Sequence, residues 1–84
     1  MDPYLDILGQ RIRARRRELS LSQEGLANEA SLDRSYVGRI ERGEHNPTFT
    51  VLIKLCRAMR CDLAALTGGL PSLSSTLRKT PDID

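Results

Sequence analysis

Residues 22–43 read SQEGLANEASLDRSYVGRIERG, and two helix starts and one helix stop can be found within them. Ser22 is a good N-cap, and Leu26, Ala27 and Ala30 share one face of a helix ending near Glu29. The short link Ala30-Ser31-Leu32 leads to Asp33, which can cap a second helix running to Arg42. Gly43 fits the left-handed stop that follows. At about 100° per residue, Val37 and Ile40 point one way, flanked by Tyr36 and Glu41. Ser35, Gly38, Arg39 and Arg42 point the other way, with Arg34 at their edge near the helix N-terminus. Two short helices joined tightly, the second with a polar outer face, make the geometry that sets a helix into the major groove of DNA. Arginine suits that face because it can donate two parallel hydrogen bonds to guanine, and serine can donate or accept at a base edge or a phosphate. Gly38 costs helix propensity in mid-helix, either for close approach to the groove wall or for no functional reason.

Outward from this core the same signals continue. Asp2-Pro3 opens a first helix from about Tyr4 to Glu18, with Leu5, Leu8, Ile12 and Leu19 at helical spacing. Its other face carries Arg11, Arg13, Arg15, Arg16 and Arg17. On the C-terminal side, Asn46-Pro47-Thr48 breaks the chain and caps a helix from Phe49 to about Met59, with Phe49, Leu52, Ile53, Cys56 and Met59 as its apolar set. Asp62 caps a brief fifth helix containing Leu63 and Leu66, stopped by Gly68-Gly69. The pattern predicts an all-α, compact five-helix domain over residues 1–70. Residues 71–84 turn to Pro, Ser, Thr and charge, either as a frayed tail or with Leu73 and Leu77 forming a small amphipathic turn.

The chain has 84 residues, and a domain of that size buries only about 60–65% of its unfolded surface. Self-association is the expected support for so small a core. Cys56 and Cys61 fall at apolar positions and, with the lone His45, supply no closed ligand set, so no metal or cofactor is expected. No segment approaches the roughly 20 apolar residues of a membrane span, and no signal-peptide pattern opens the chain, so a cytoplasmic location without a membrane partner is expected. Net charge is only +2, but Arg11 to Arg60 holds eleven Lys or Arg against six Asp or Glu. That excess is compatible with a phosphate-binding face. The sequence contains no nucleophile–base pair, phosphate loop or metal set, so it does not read as an enzyme. His45 reads as surface or as a phosphate contact.

The run LSLSQEGLANEASLDRSYVGRIERGEHNPTFTVLIKLCRAMRCD, residues 19–62, resembles the Cro/C1-type helix-turn-helix regulators, also called XRE-type. The order LSQ-E-x-LA, SYVGRIERG, NP-T and then an alternating apolar helix carries the resemblance. It implies a lambda-repressor-like fold and sequence-specific binding to double-stranded operator DNA. The base-reading positions of that family fall on Arg34, Ser35 and Arg39. Ser22 and Gln23 open the phosphate-contacting helix, and Glu44, His45 and Asn46 form the loop that clamps the backbone. Tyr36, Arg42 and Thr48 complete the backbone set. An arginine of the first helix and a glutamate late in the reading helix pair in this family; by position they are Arg16 and Glu41, with Arg16 also near a phosphate. Three positions depart from the pattern: Gly25 lacks the capping-box glutamate, and Ser31 and Arg60 stand where glycine is common. Asp33 either caps the reading helix or accepts from a cytosine amino group.

The resemblance further implies a homodimer on a palindromic or near-palindromic site. Leu63, Leu66 and Leu70 are the expected interface, with closure of the monomer core as the other reading of these leucines. Controller proteins of restriction-modification systems, compact phage repressors and antitoxin partners are all similar in size and architecture, and an activator would add RNA polymerase as a partner. A protein-interaction module with the same fold is the alternative.

Overall fold

The computed structural model describes residues 2–70; the expectations placed on residues 71–84 lie outside that range. Five helices follow in order: α1 Pro3–Glu18, α2 Gln23–Ala30, α3 Arg34–Glu41, α4 Phe49–Met59 and α5 Leu63–Thr67. There is no strand among the described residues. The described residues form an all-α fold of five helices, as the sequence pattern predicts.

The helix starts are set locally. Asp2 accepts from the Tyr4 N–H at 2.8 Å, Ser22 Oγ from Gly25 at 2.9 Å, Asp33 from Ser35 at 2.8 Å and Thr48 Oγ1 from Val51 at 3.2 Å. Each satisfies one of the amide groups that a helix start leaves without a partner. Asp62 is the exception. It occupies the N-cap of α5, but its side chain makes no capping bond.

The stops of α1 to α4 share one device. Ser20, Ser31, Gly43 and Arg60 are left-handed, at φ 57°, 57°, 75° and 53°. After each, an amide closes back on a carbonyl five residues earlier: Leu21 to Arg16, Leu32 to Ala27, Glu44 to Arg39 and Cys61 to Cys56. This is the Schellman closure, which usually brings the two residues it joins into apolar contact. Cys56 and Cys61 are such a pair, both free thiols, and burial together with the neighbouring Cys61 pushes the Cys56 thiol up to about 11. A thiol held protonated in this way is chemically quiet.

Ile12, Leu26, Val37, Ile40, Leu55, Met59 and Leu66 are essentially fully buried and draw all five helices around one core. Two expectations are corrected here. Phe49 is 65% exposed, Leu52 and Ile53, expected beside it, stay half-buried outside the core, and Leu55 joins the buried stripe of α4 in their place. Phe49 stands in the first turn, about 80° from the Met59 direction by helical geometry, and α4 turns Leu55, Cys56 and Met59 inward instead. Leu66 is only 2% exposed and completes the monomer core, so it does not form a contact surface for a second copy. Leu63 and Leu70 remain half-buried.

Gly9 is the point where α1 crosses α3. A Cβ there would stand 2.5 Å from the carbonyl oxygen of Glu41 and 2.6 Å from that of Ile40. Only a residue without a side chain permits this approach, and nothing in the local pattern of α1 signals it.

Candidate nucleic-acid interface

The α2–α3 unit is oriented from its buried side. Val37 and Ile40 enter the core, and Glu41, 4% exposed, ends α3 against α1. Its carboxylate accepts from Arg16 Nε at 2.7 Å and Arg16 Nη2 at 3.0 Å, and from Gln23 Nε2 at 3.1 Å. Arg13 Nε lies 3.5 Å from the same group. Burial pushes the Glu41 carboxyl up, but the hydrogen bonds from Arg16 and Gln23 outweigh it and hold the group below the usual carboxylate range. Hydrogen bonding to Glu41 raises Arg16 further above its ordinary value, against the opposing effect of burial. One buried carboxylate thus ties α1, α2 and α3 together.

Arg16, expected to pair with Glu41 and also to lie near a phosphate, is engaged within the fold. It is 9% exposed, and its remaining Nη1 donates to the Leu21 carbonyl at 2.8 Å. The other α1 arginines, read in sequence as one basic face, are largely engaged within the fold. Arg11 Nη1 donates to the carbonyls of Leu66 at 3.1 Å and Gly68 at 2.7 Å, at the end of α5. Arg15 donates to Met59 at 3.0 Å and Arg60 at 3.2 Å, at the end of α4, and pairs with Glu18. Cations placed on the unsatisfied carbonyls of helix C-termini stabilise them through charge and hydrogen bonding together. Arg17 stays exposed.

The outer face of α3 is different. Arg34, Ser35, Arg39 and Arg42 are all exposed. Ser35 Oγ donates to Asp33 Oδ1 at 2.7 Å, and the Ser35 amide donates to the same oxygen. These bonds, the hydroxyl's first, hold the Asp33 carboxyl below its ordinary range. Asp33 is engaged as the cap of α3, the first of the two readings open to it. Arg42 Nε pairs with Glu44 at 3.1 Å on the surface. Arg39 Nη2 lies 3.1 Å from His45 Nδ1, and the His45 ring meets Tyr36 edge-on with centroids 4.7 Å apart.

Gln23 sits where α2 begins, half-buried, with its amide oriented by Glu41. Gly38 lies beneath it: a Cβ there would stand 3.1 Å from Arg42 Nη1 and 3.5 Å from Gln23 Oε1. The glycine is buried, and the atoms a Cβ would meet are the movable end of the exposed Arg42 side chain and, at ordinary contact distance, the Gln23 amide. Ser22 and Thr48 cap α2 and α4, and Asn46 is exposed between α3 and α4. The candidate interface is a helix face of exposed donors, flanked by Gln23 on one side and by the 44–48 loop on the other. Its electrostatics are set by Arg34 and Arg39, since Arg42 is partly offset by Glu44.

A helix-turn-helix family model matches residues 12–66, which takes in the core and all of this face. The immunity repressor protein of Bacillus phage phi105 is 41% identical over 61 residues, which cover 73% of this chain. The match spans 42% of that repressor's own length. Among solved structures, the restriction-modification controller protein C.AhdI of Aeromonas hydrophila is 44% identical, with a TM-score of 0.73 over 74% of this chain and 94% of that one. The controller protein C.Esp1396I, solved as a tetramer in complex with its natural 35 base-pair operator, is 29% identical, with a TM-score of 0.70 over 74% and 82% of the two chains.

Proposed function

The chain belongs to the helix-turn-helix family, and from that premise we propose that it is a transcription regulator that binds operator DNA as a homodimer. The observation that carries this reading is the two-sided character of α3. Val37, Ile40 and Glu41 lock one side into the fold, while Arg34, Ser35 and Arg39 stand exposed on the other. In the major groove the two arginines suit guanine O6 and N7, and Ser35 suits an adjacent base edge. Gln23 and Ser22 at the start of α2, Tyr36 and Arg42 on α3, and His45, Asn46 and Thr48 beyond it form the backbone-contacting set. C.Esp1396I binds its operator with a domain of this fold, which supports the same partner here.

Within this reading the second copy docks on α4 and α5. Phe49 and Ile53 lie one turn apart on α4, outside the buried stripe, and Leu63 and Leu70 are half-buried nearby in sequence. Two half-sites one turn of DNA apart require the two α3 helices of such a dimer to lie about 34 Å apart. The likeness to C.AhdI favours a role as a restriction-modification controller over a phage repressor or an antitoxin partner. No helix among the described residues is long and apolar enough to cross a membrane, in keeping with a cytoplasmic site of action. RNA polymerase becomes a further partner if the operator position makes the protein an activator.

Selection of bound sites from random duplex DNA tests the reading. Two related half-sites about one helical turn apart are the expected result. Arg39→Ala should weaken the selected site by about 1–3 kcal/mol and relax preference at one base pair per half-site. Recovery of no sequence preference would leave the fold as a protein-interaction module.

A further inference from the structure

We propose that His45 is a positioning residue for base reading: its Nδ1 holds the Arg39 guanidinium in place before DNA arrives. The inference rests on the reading of α3 as the base-reading helix. Arg39 Nη2 lies 3.1 Å from His45 Nδ1. A guanidinium can only donate, so Nδ1 must carry the lone pair and the ring proton must sit on Nε2. The contact is therefore specific to the neutral imidazole in one tautomer.

The imidazole is itself held from two sides. Tyr36, one turn before Arg39 on α3, packs against the ring at 4.7 Å between centroids and 68° between planes. Edge-on contact of this kind fixes the ring plane. The backbone adds the second constraint. Gly43 turns left-handed at φ 75°, its amide donates to Ile40 at 3.0 Å, and the Glu44 amide donates to Arg39 at 2.9 Å. The loop that carries His45 is thereby tied to the last turn of the helix that carries Arg39.

Two chemical consequences follow for Arg39. The bond to His45 uses one N–H and leaves four of the five donors of the guanidinium free for a base. Holding a long side chain before binding also removes part of the ordering cost at the interface, which amounts to about threefold to tenfold in affinity per immobilised side chain. The Nε2–H of the same ring remains a donor for a neighbouring phosphate. His45 in this role differs from a plain phosphate contact, because its loss changes which base is preferred and not only how tightly DNA is held.

The test compares the wild type with His45→Ala and His45→Asn on the site selected by the wild type. A second duplex is altered at the base pair that Arg39→Ala identifies. The Asn amide oxygen falls close to the place of Nδ1 and can accept from Arg39. His45→Ala is expected to bind the selected site about threefold to tenfold more weakly. It should also discriminate less at the Arg39 base pair, with preference at the other positions kept. His45→Asn is expected to restore that discrimination. Thermal unfolding of each variant confirms that the fold is retained. Equal weakening on every duplex, or unchanged discrimination in His45→Ala, overturns the inference while leaving operator binding intact. Absence of any sequence preference in the wild type overturns both readings together.

Discussion

Arg16 and Glu41 meet as a two-pronged ion pair, Nε to Oε2 at 2.7 Å and Nη2 to Oε1 at 3.0 Å, with both residues nearly out of water. Twenty-five residues separate them in sequence, and the pair fixes the angle at which α3 leaves the body of the protein. A buried pair of this kind is worth more for orientation than for net stability, but breaking one half leaves an uncompensated charge. Arg16→Ala is therefore expected to cost about 3–5 kcal/mol in urea unfolding at neutral pH. Exchanging both residues for apolar ones of similar volume should cost far less than either single change.

The same pair gives stability a pH dependence. The folded carboxyl of Glu41 sits below its unfolded value, so its contribution is fully present above the unfolded range near pH 4.3. It is lost as pH falls through the lower, folded value. Glu41→Gln should remove that part of the acid dependence, which denaturation midpoints measured between pH 3 and pH 7 would reveal.

Ser20, Ser31 and Arg60 hold the left-handed position that ends α1, α2 and α4, a conformation that strains any side chain with a Cβ. Ser31→Gly and Arg60→Gly should each stabilise the protein by about 0.5–1 kcal/mol after allowing for the extra freedom of glycine in the unfolded chain. In a domain of this size that corresponds to a rise in Tm of several degrees.

Gly9→Ala should do the reverse. The added methyl group meets the backbone carbonyls of Ile40 and Glu41, which have no flexible end to move aside. A loss of about 1–3 kcal/mol is expected, together with weaker operator binding, because the crossing of α1 over α3 sets the pose of the reading helix.

Arg11 and Arg15 should separate stability from DNA binding. Both donate to helix-terminal carbonyls, so alanine at either position is expected to lower stability by about 1–2 kcal/mol. The salt dependence of binding should stay nearly unchanged. Arg42→Ala, at a position assigned to backbone contact and paired only at the surface with Glu44, should leave stability nearly unchanged and lower the slope of log affinity against log salt by about one. Salt titrations of the three variants provide the comparison.

Ser35 carries a directional prediction. Its hydroxyl hydrogen is given to Asp33, so what it turns toward a base is lone pairs. Adenine N6 and cytosine N4 are the amino donors exposed in the major groove, and selected sites should show one or the other at this position. Asp33→Ala frees the hydroxyl to donate and should admit guanine or thymine there.

The sequence by itself determined the elements. The caps at Asp2, Ser22, Asp33 and Thr48 and the left-handed stop at Gly43 act across five residues or fewer, so local pattern carries them, and the helix boundaries follow to within about a residue. Only the tertiary structure decided the fate of charge and of apolar side chains. The five arginines of α1 look alike along the chain. Arg11 meets Leu66 across 55 residues, Arg15 meets Met59 across 44, and Arg16 meets Glu41 across 25. Leu66 goes inward and Phe49 stays out, although both sit in apolar runs. These outcomes depend on which helix ends and crossings the folded chain brings together, and a periodicity of 3.6 residues contains no record of them.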